Sequence, residues 1–265
     1  MSDSRPTVLI TGASAGIGAV YADRFARRGH DLILVARDAA RLAALAAELR
    51  AAHGVAAEAF PADLTGPGLE AVEARLAGDA RIGILVNNAG AVTAGGFLGT
   101  SAAQIDALVR LNITALTRLA AAVAPRFVAA GTGAIVNVGS VVGLAPERPF
   151  GIYGATKAYV LALSQTLQAE LGPRGVYVQA MLPPATQTEI WARAGRDTSK
   201  LPPMMPAAEL VDAALAGFDR REAVTLPSLP DIAQWEAYEA ARKAMAANLP
   251  QVRAAARYRE AAATG

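Results

Sequence analysis

Short runs of apolar residues alternate along this chain with longer stretches in which apolar positions recur every three or four residues. Thr7–Ile10, Asp31–Val35, Val55–Phe60, Ile82–Val86, Ala134–Val138 and Gly175–Met181 are apolar with little polar alternation, and Val224–Leu226 is a seventh, shorter run. Runs of this kind predict strands covered on both faces. Helical spacing follows the first run as far as about Arg28, then covers Ala39–Ala51, Ser101–Ala129 and Gly151–Leu171. Strands separated by helices predict an α/β fold: a three-layer, doubly wound parallel sheet of about seven strands with helices on both faces. Ligands of such sheets bind at the carboxyl ends of the strands.

No shift in composition marks a boundary, so residues 1–265 are expected to form one domain. Two stretches stand apart. Residues 183–206 hold five prolines and weak periodicity, which predicts a substrate loop or lid with a short helix near Glu189–Ala194. Residues 230–262 carry Trp235, Tyr238, Met245 and Tyr258 among alanines and arginines. They read as a helical extension whose role is pocket cover, subunit contact or a solvated appendage.

Composition narrows the function classes. With 53% hydrophobic and 18% charged residues the chain has material for a core, which excludes general disorder. The formal net charge is +2 and the basic residues are scattered, so no nucleic-acid footprint is expected. There is no cysteine, which removes disulfides, thiolate catalysis and cysteine-based zinc sites. His30 and His53 sit in separate turns, and no metal site is expected. Only six residues precede the first apolar run, and Arg118 and Arg126 interrupt the alanine-rich region. No stretch reaches the ~18 uncharged apolar residues of a membrane span. The expectation is a soluble, cytoplasmic protein.

The candidate chemistry begins at Thr11-Gly12-Ala13-Ser14-Ala15-Gly16-Ile17-Gly18, between the first strand and the first helix. Gly12 permits a tight turn, Gly16 lets the backbone approach a pyrophosphate, and Gly18 allows close helix–strand contact. The free N–H groups and dipole of the helix N-terminus favour an anion there. At the end of the second strand, Ala36 stands where a carboxylate would repel a 2′-phosphate, and Arg37 offers a planar charged fork. NADP(H) is therefore the preferred cofactor, with NAD(H) possible. Tyr153 and Lys157, four apart in a helical pattern, lie on one face a turn apart. A neighbouring ammonium stabilises a phenolate, which makes the pair a candidate acid/base unit.

Taken with its spacing, the glycine turn resembles the TGxxxGxG signature of the short-chain dehydrogenase/reductase family, in its compact single-domain Rossmann branch. Asn87-Asn88-Ala89-Gly90 is similar to that family's NNAG motif, and the resemblance covers residues 7–190. It implies that Ser14, Ala15, Ile17 and the three glycines hold the cofactor. Asp63 and Leu64 would contact the adenine, and Asn88, Ala89 and Gly90 would border its ribose. Ser140, thirteen positions before Tyr153, would bond a substrate carbonyl, while Asn112 would hold a water feeding protons to Lys157. Lys157 would also bond the nicotinamide ribose, beside Tyr153.

Elsewhere the match loosens. Ala15 stands where many NADP-preferring members carry a second basic residue, and Pro183-Pro184 replaces the usual Pro-Gly. Pro183 and Thr188 are carried over as cofactor contacts. Val141, Val142, Leu144, Pro146 and Phe150 read as an apolar substrate wall, with Trp191, Met204 and Met205 on a lid. The resemblance implies hydride transfer between the nicotinamide and a carbonyl or secondary alcohol of a small apolar molecule, by a homodimer or homotetramer. The alternatives are a non-catalytic dinucleotide-binding regulator of the same fold, and an epimerase or dehydratase. The second usually has a longer substrate region.

Overall fold

The computed structural model describes residues 5–93, 96–195, 197 and 202–259. In chain order, β1 (Thr7–Thr11), α1 (Gly16–Arg27), β2 (Leu32–Ala36), α2 (Ala39–His53), β3 (Ala57–Pro61), α3 (Gly68–Gly78) and β4 (Ile82–Asn87) make the first half. The second half continues through α4 (Ala102–Val109), a π-helical turn (Arg110–Ala115), α5 (Leu116–Ala130), β5 (Gly133–Val138), α6 (Gly151–Leu171) and β6 (Val176–Met181). Then come β7 (Thr186–Gln187), α7 (Ile190–Arg193), β8 (Met205–Pro206), α8 (Ala207–Asp219) and β9 (Val224–Thr225). The helices α9 (Ile232–Ala246) and α10 (Ala256–Arg259) follow. The chain divides into two compact units, Met1–Pro227 and Ser228–Gly265.

The main sheet has seven parallel strands in the order β3-β2-β1-β4-β5-β6-β9. This is the doubly wound arrangement expected from the periodicity. The order reverses between β1 and β4, so a crevice opens at their carboxyl ends.

Pleating sends alternate side chains to two cores. Val8, Ile10, Leu32 and Leu34 pack with Tyr21 and Phe25 of α1, Leu42 of α2 and Leu210 of α8. Leu9, Ile33, Val35 and Leu85 pack on the other face with Val72 of α3 and Leu119, Val123 and Phe127 of α5. Burial on both faces is why β1 and β2 show no polar alternation. The outlying strand β3 is less buried than its apolar run predicts: only Ala57 is covered, and Pro61 sits where the sheet ends.

Local signals set the helix ends. Asp38 caps α2 by accepting the Arg41 N–H at 3.0 Å, and Gly54 closes it in the left-handed region. Ser101 and Gln104 form a reciprocal capping box on α4. The continuous helix expected over Ser101–Ala129 is interrupted by the π-helical turn around Asn112. Helices α3 and α8 are not among the elements expected from the sequence. Ala102–Ala130 is long and apolar enough to cross a membrane by length and composition, and here it packs partly against the sheet.

Within the smaller unit, Asp231 caps α9 by accepting the Ala233 N–H, and Trp235 stacks on Tyr238 with ring centroids 5.4 Å apart. The stretch read as a helical extension contains α9 and α10, with residues 247–255 in neither helix. Its expected residues 260–262 lie outside the described residues, as do 196 and 198–201 of the lid segment.

Candidate active site

The glycine turn is fastened to β4 by hydrogen bonds that spacing alone does not show. Thr11 Oγ1 accepts the N–H groups of Asn88 and Ala89, each at 3.0 Å. Asn88 Nδ2 donates in return to the carbonyls of Thr11 at 2.9 Å and Gly12 at 3.2 Å. The Asn88 amide thus holds the turn across the sheet reversal, while its backbone borders the cleft. A Cβ on Gly18 would stand 2.3 Å from the Gly12 carbonyl oxygen, so only glycine fits that helix–strand contact. Helix α1 begins after Ala15 with neither a side-chain cap nor an acid in its first turn. Its N–H groups are left for an anion.

A cleft of about 650 Å³ lies over this turn. Gly12, Ser14, Ala15, Gly16 and Ile17 line it together with Arg37, Asp63, Leu64, Asn88, Ala89 and Gly90. Ser140, Tyr153, Lys157, Pro183 and Thr188 line it as well, with Gly90 next to Lys157 and Gly16 next to Thr188. Gly18 and Asn112 are buried and meet the cleft through their neighbours. The Asp63 carboxylate is held below the usual carboxylate range by the Thr65 backbone N–H at 2.9 Å and hydroxyl at 2.7 Å, with a smaller contribution from Arg37. The bare helix N-terminus and the long cleft fit a dinucleotide.

Asn112 is 1% exposed, and its amide orientation is specified by its partners. Its Oδ1 accepts the Ala91 N–H at 2.9 Å; its Nδ2 donates to the Ala91 carbonyl at 2.9 Å and to Thr156 Oγ1 at 3.1 Å. Thr156 passes the link on by donating to the Tyr153 carbonyl at 2.9 Å. Thr156 was not singled out in the sequence. Its only signal is its place beside Lys157, on the inner face of α6.

Lys157 Nζ is buried, donates to the Val138 carbonyl at 2.9 Å and lies 5.8 Å from the Tyr153 ring centroid. Burial lowers its ammonium to about 8. Burial also pushes the Tyr153 phenol up to about 12, against a smaller opposing pull from a hydrogen bond with Ser140. Ser140, two residues beyond β5, accepts the Val142 N–H at 3.3 Å and donates to the Pro183 carbonyl at 3.3 Å. Tyr153 and Lys157 of α6 and Ser140 of the turn after β5 all line the cleft.

Apolar residues Val141, Val142, Phe150, Ile190 and Trp191 line the same cleft, interspersed with Arg148, Glu189 and Arg193. Leu144 and Pro146, expected in the apolar wall, and Met204 and Met205, expected on the lid, are not among the residues lining the cleft. Met205 instead pairs with Thr186 in the small β7–β8 ribbon. Trp191 is anchored by donating Nε1–H to the Thr186 carbonyl at 2.8 Å.

The family model for short chain dehydrogenases matches residues 6–199. The chain belongs to the short-chain dehydrogenase/reductase family. It is an NAD(P)-dependent oxidoreductase of that family. Among solved structures, the chain is similar to a short-chain dehydrogenase from Sphingobium yanoikuyae in complex with NADPH. The two are 64% identical over 95% of this chain and 99% of that one, with a TM-score of 0.94. A bulky-bulky ketone specific alcohol dehydrogenase from Comamonas testosteroni is 54% identical over 96% of this chain and 99% of its own, with a TM-score of 0.90. The 17-beta-hydroxysteroid dehydrogenase type 3 of Homo sapiens is 33% identical over 184 residues, 68% of this chain. That match spans 59% of the human protein's length.

Proposed function

We propose that the protein interconverts ketones carrying two large apolar groups and their secondary alcohols, using NADP(H). The observation that carries this reading is the apolar wall of Val142, Phe150 and Trp191 in the same cleft as Ser140, Tyr153 and Lys157. The relative from Comamonas testosteroni, whose name specifies bulky-bulky ketones, supports the substrate class. The NADPH-bound relative from Sphingobium yanoikuyae and the Ala36-Arg37 corner support the cofactor.

In this mechanism the bound nicotinamide supplies hydride chemistry, and the chain supplies position and protons. Ser140 donates a hydrogen bond to the carbonyl oxygen and so turns from the Pro183 carbonyl towards the substrate. Tyr153, whose phenol is protonated at neutral pH and whose pKa burial pushes above its ordinary range, donates the proton as the alkoxide forms. Lys157 holds positive charge beside the phenol and bonds the ribose. Asn112, fixed by Ala91 and Thr156, sets the geometry behind Lys157. In the oxidation direction the phenol must first lose its proton, so alcohol oxidation is expected to rise with pH while ketone reduction is favoured near neutrality.

A panel of aryl and long-chain ketones, assayed with NADPH and NADH, tests the assignment. Turnover of small methyl ketones but none of bulky ones would overturn the substrate class. Arg37→Ala is expected to weaken NADPH binding by roughly tenfold or more and NADH binding little, since it removes a charge-assisted contact to phosphate. Equal losses for both would remove Arg37 from the phosphate role.

A further inference from the structure

Glu189 follows Thr188 directly and belongs to none of the motifs described above. Its carboxylate accepts Arg41 Nη1 at 2.8 and 3.1 Å, across 148 positions of sequence. Arg193, a turn further on, adds Nη2 at 2.7 Å. Arg41 stands in the first turn of α2, and its Nε lies 3.5 Å from the carboxylate of Asp38. The ion pair therefore joins two different sides of the cleft. One is the Arg37–Asp38 corner, where α2 begins; the other is the segment Thr186–Arg193, which lies over the glycine turn.

Three observations show that this segment is held as a unit. Trp191 is bonded to the Thr186 carbonyl, β7 pairs with β8, and a Cβ at Gly16 would lie 3.0 Å from Thr188 Cγ2. Asp38 and Glu189 both line the cleft, and the Arg41–Glu189 contact ties the start of α2 to the segment that carries Thr188. An exposed ion pair adds little to folding stability. Placed between two segments that line a cleft, it acts instead on what passes through.

We propose that the Arg41–Glu189 pair is a strap over the dinucleotide cleft, with Glu189 a positioning residue that slows cofactor exchange. A dinucleotide entering or leaving must part the two side chains, whether or not it carries a 2′-phosphate. The strap therefore governs NADH and NADPH alike, unlike a residue that reads the phosphate. This inference rests on the dinucleotide cleft and is independent of the ketone assigned above.

Stopped-flow fluorescence of NADPH and NADH, with no ketone present, tests it and leaves the substrate reading untouched. Glu189→Gln is expected to raise the dissociation rate of both cofactors by roughly two- to fivefold, the range of one exposed ion pair. Arg41→Gln is expected to give the same increase for NADH, and the double variant no more than either single change. Added salt is expected to speed NADH release from the native protein but not from the Glu189→Gln variant. Native release rates in Glu189→Gln, or additive effects in the double variant, would overturn the strap. So would an Arg41→Gln effect confined to NADPH, which would make Arg41 a phosphate reader alone. Thermal melts identify any variant with a damaged fold, and Glu189→Asp then serves as the milder replacement, with a smaller rise expected in both rates.

Discussion

Lys157 is a charged residue buried at the heart of the cleft's catalytic side. A buried ammonium with one carbonyl partner favours its neutral form, which is why its pKa falls to about 8 from the ordinary lysine value of 10.5. Between these two values the unfolded chain keeps the proton that the folded chain has released, so folding stability rises with pH across that window. Below pH 8 both states are charged and the full cost of the buried charge is present. Lys157→Met is therefore expected to raise the Tm of the cofactor-free protein at pH 7 by roughly 2–4 °C or more, while abolishing turnover. The advantage should shrink from pH 8 upward. Calorimetry across pH checks both parts, and a Tm gain that does not change with pH would refute the buried-charge explanation. The Tyr153–Lys157 spacing was visible in the sequence, because four residues in a helix define one face. Their common desolvation was not, since it depends on what packs around α6.

The glycine turn shows how much a whole element adds to its residues. Gly18→Ala would drive a methyl group into the Gly12 carbonyl and the Asn88 amide, at 2.3 and 2.5 Å. Overpacking of this kind costs about 1–3 kcal/mol, and here the displaced atoms are the ones that shape the pyrophosphate site. The expected result is a lowered Tm and at least a tenfold weaker dinucleotide affinity, measured by fluorescence titration. Native affinity in Gly18→Ala would mean that the turn adapts without cost. The spacing of Gly12, Gly16 and Gly18 was legible in the sequence; the lock formed by Thr11 and Asn88 was not, because its partners lie 76 to 78 positions apart. The same holds for the π-helical turn around Asn112. Its residues have an ordinary helical pattern, and only the amide bonds to Ala91 and Thr156 reveal what that turn presents.

On the scale of the whole molecule, the unit of function is expected to exceed one chain. The long helix Ala102–Ala130 has only 39% of its most apolar window buried. On the adjoining helix, Tyr159 is 37% exposed and bonds Thr117 of α5 at 3.0 Å. We propose that α5 and α6 pair with the same helices of a second copy, giving a dimer or tetramer. Light scattering coupled to gel filtration checks this, and a monomer at micromolar concentration would refute it.

The sequence alone determined the doubly wound sheet, the position of the glycine turn and the one-face spacing of Tyr153 and Lys157. Each of these depends on local periodicity or short spacing, which a chain displays before it folds. Asn112 and Ser140 became candidates only through the family resemblance. Strand β3 was misjudged as fully buried because apolar content does not say whether a strand stands at a sheet's edge. Tertiary structure decided the rest: the Thr156 link, the Ser140–Pro183 contact and the meeting of Arg41 with Glu189. Those contacts join residues distant in sequence, and burial and charge pairing act through distances that exist only once the sheet has brought its strand ends together.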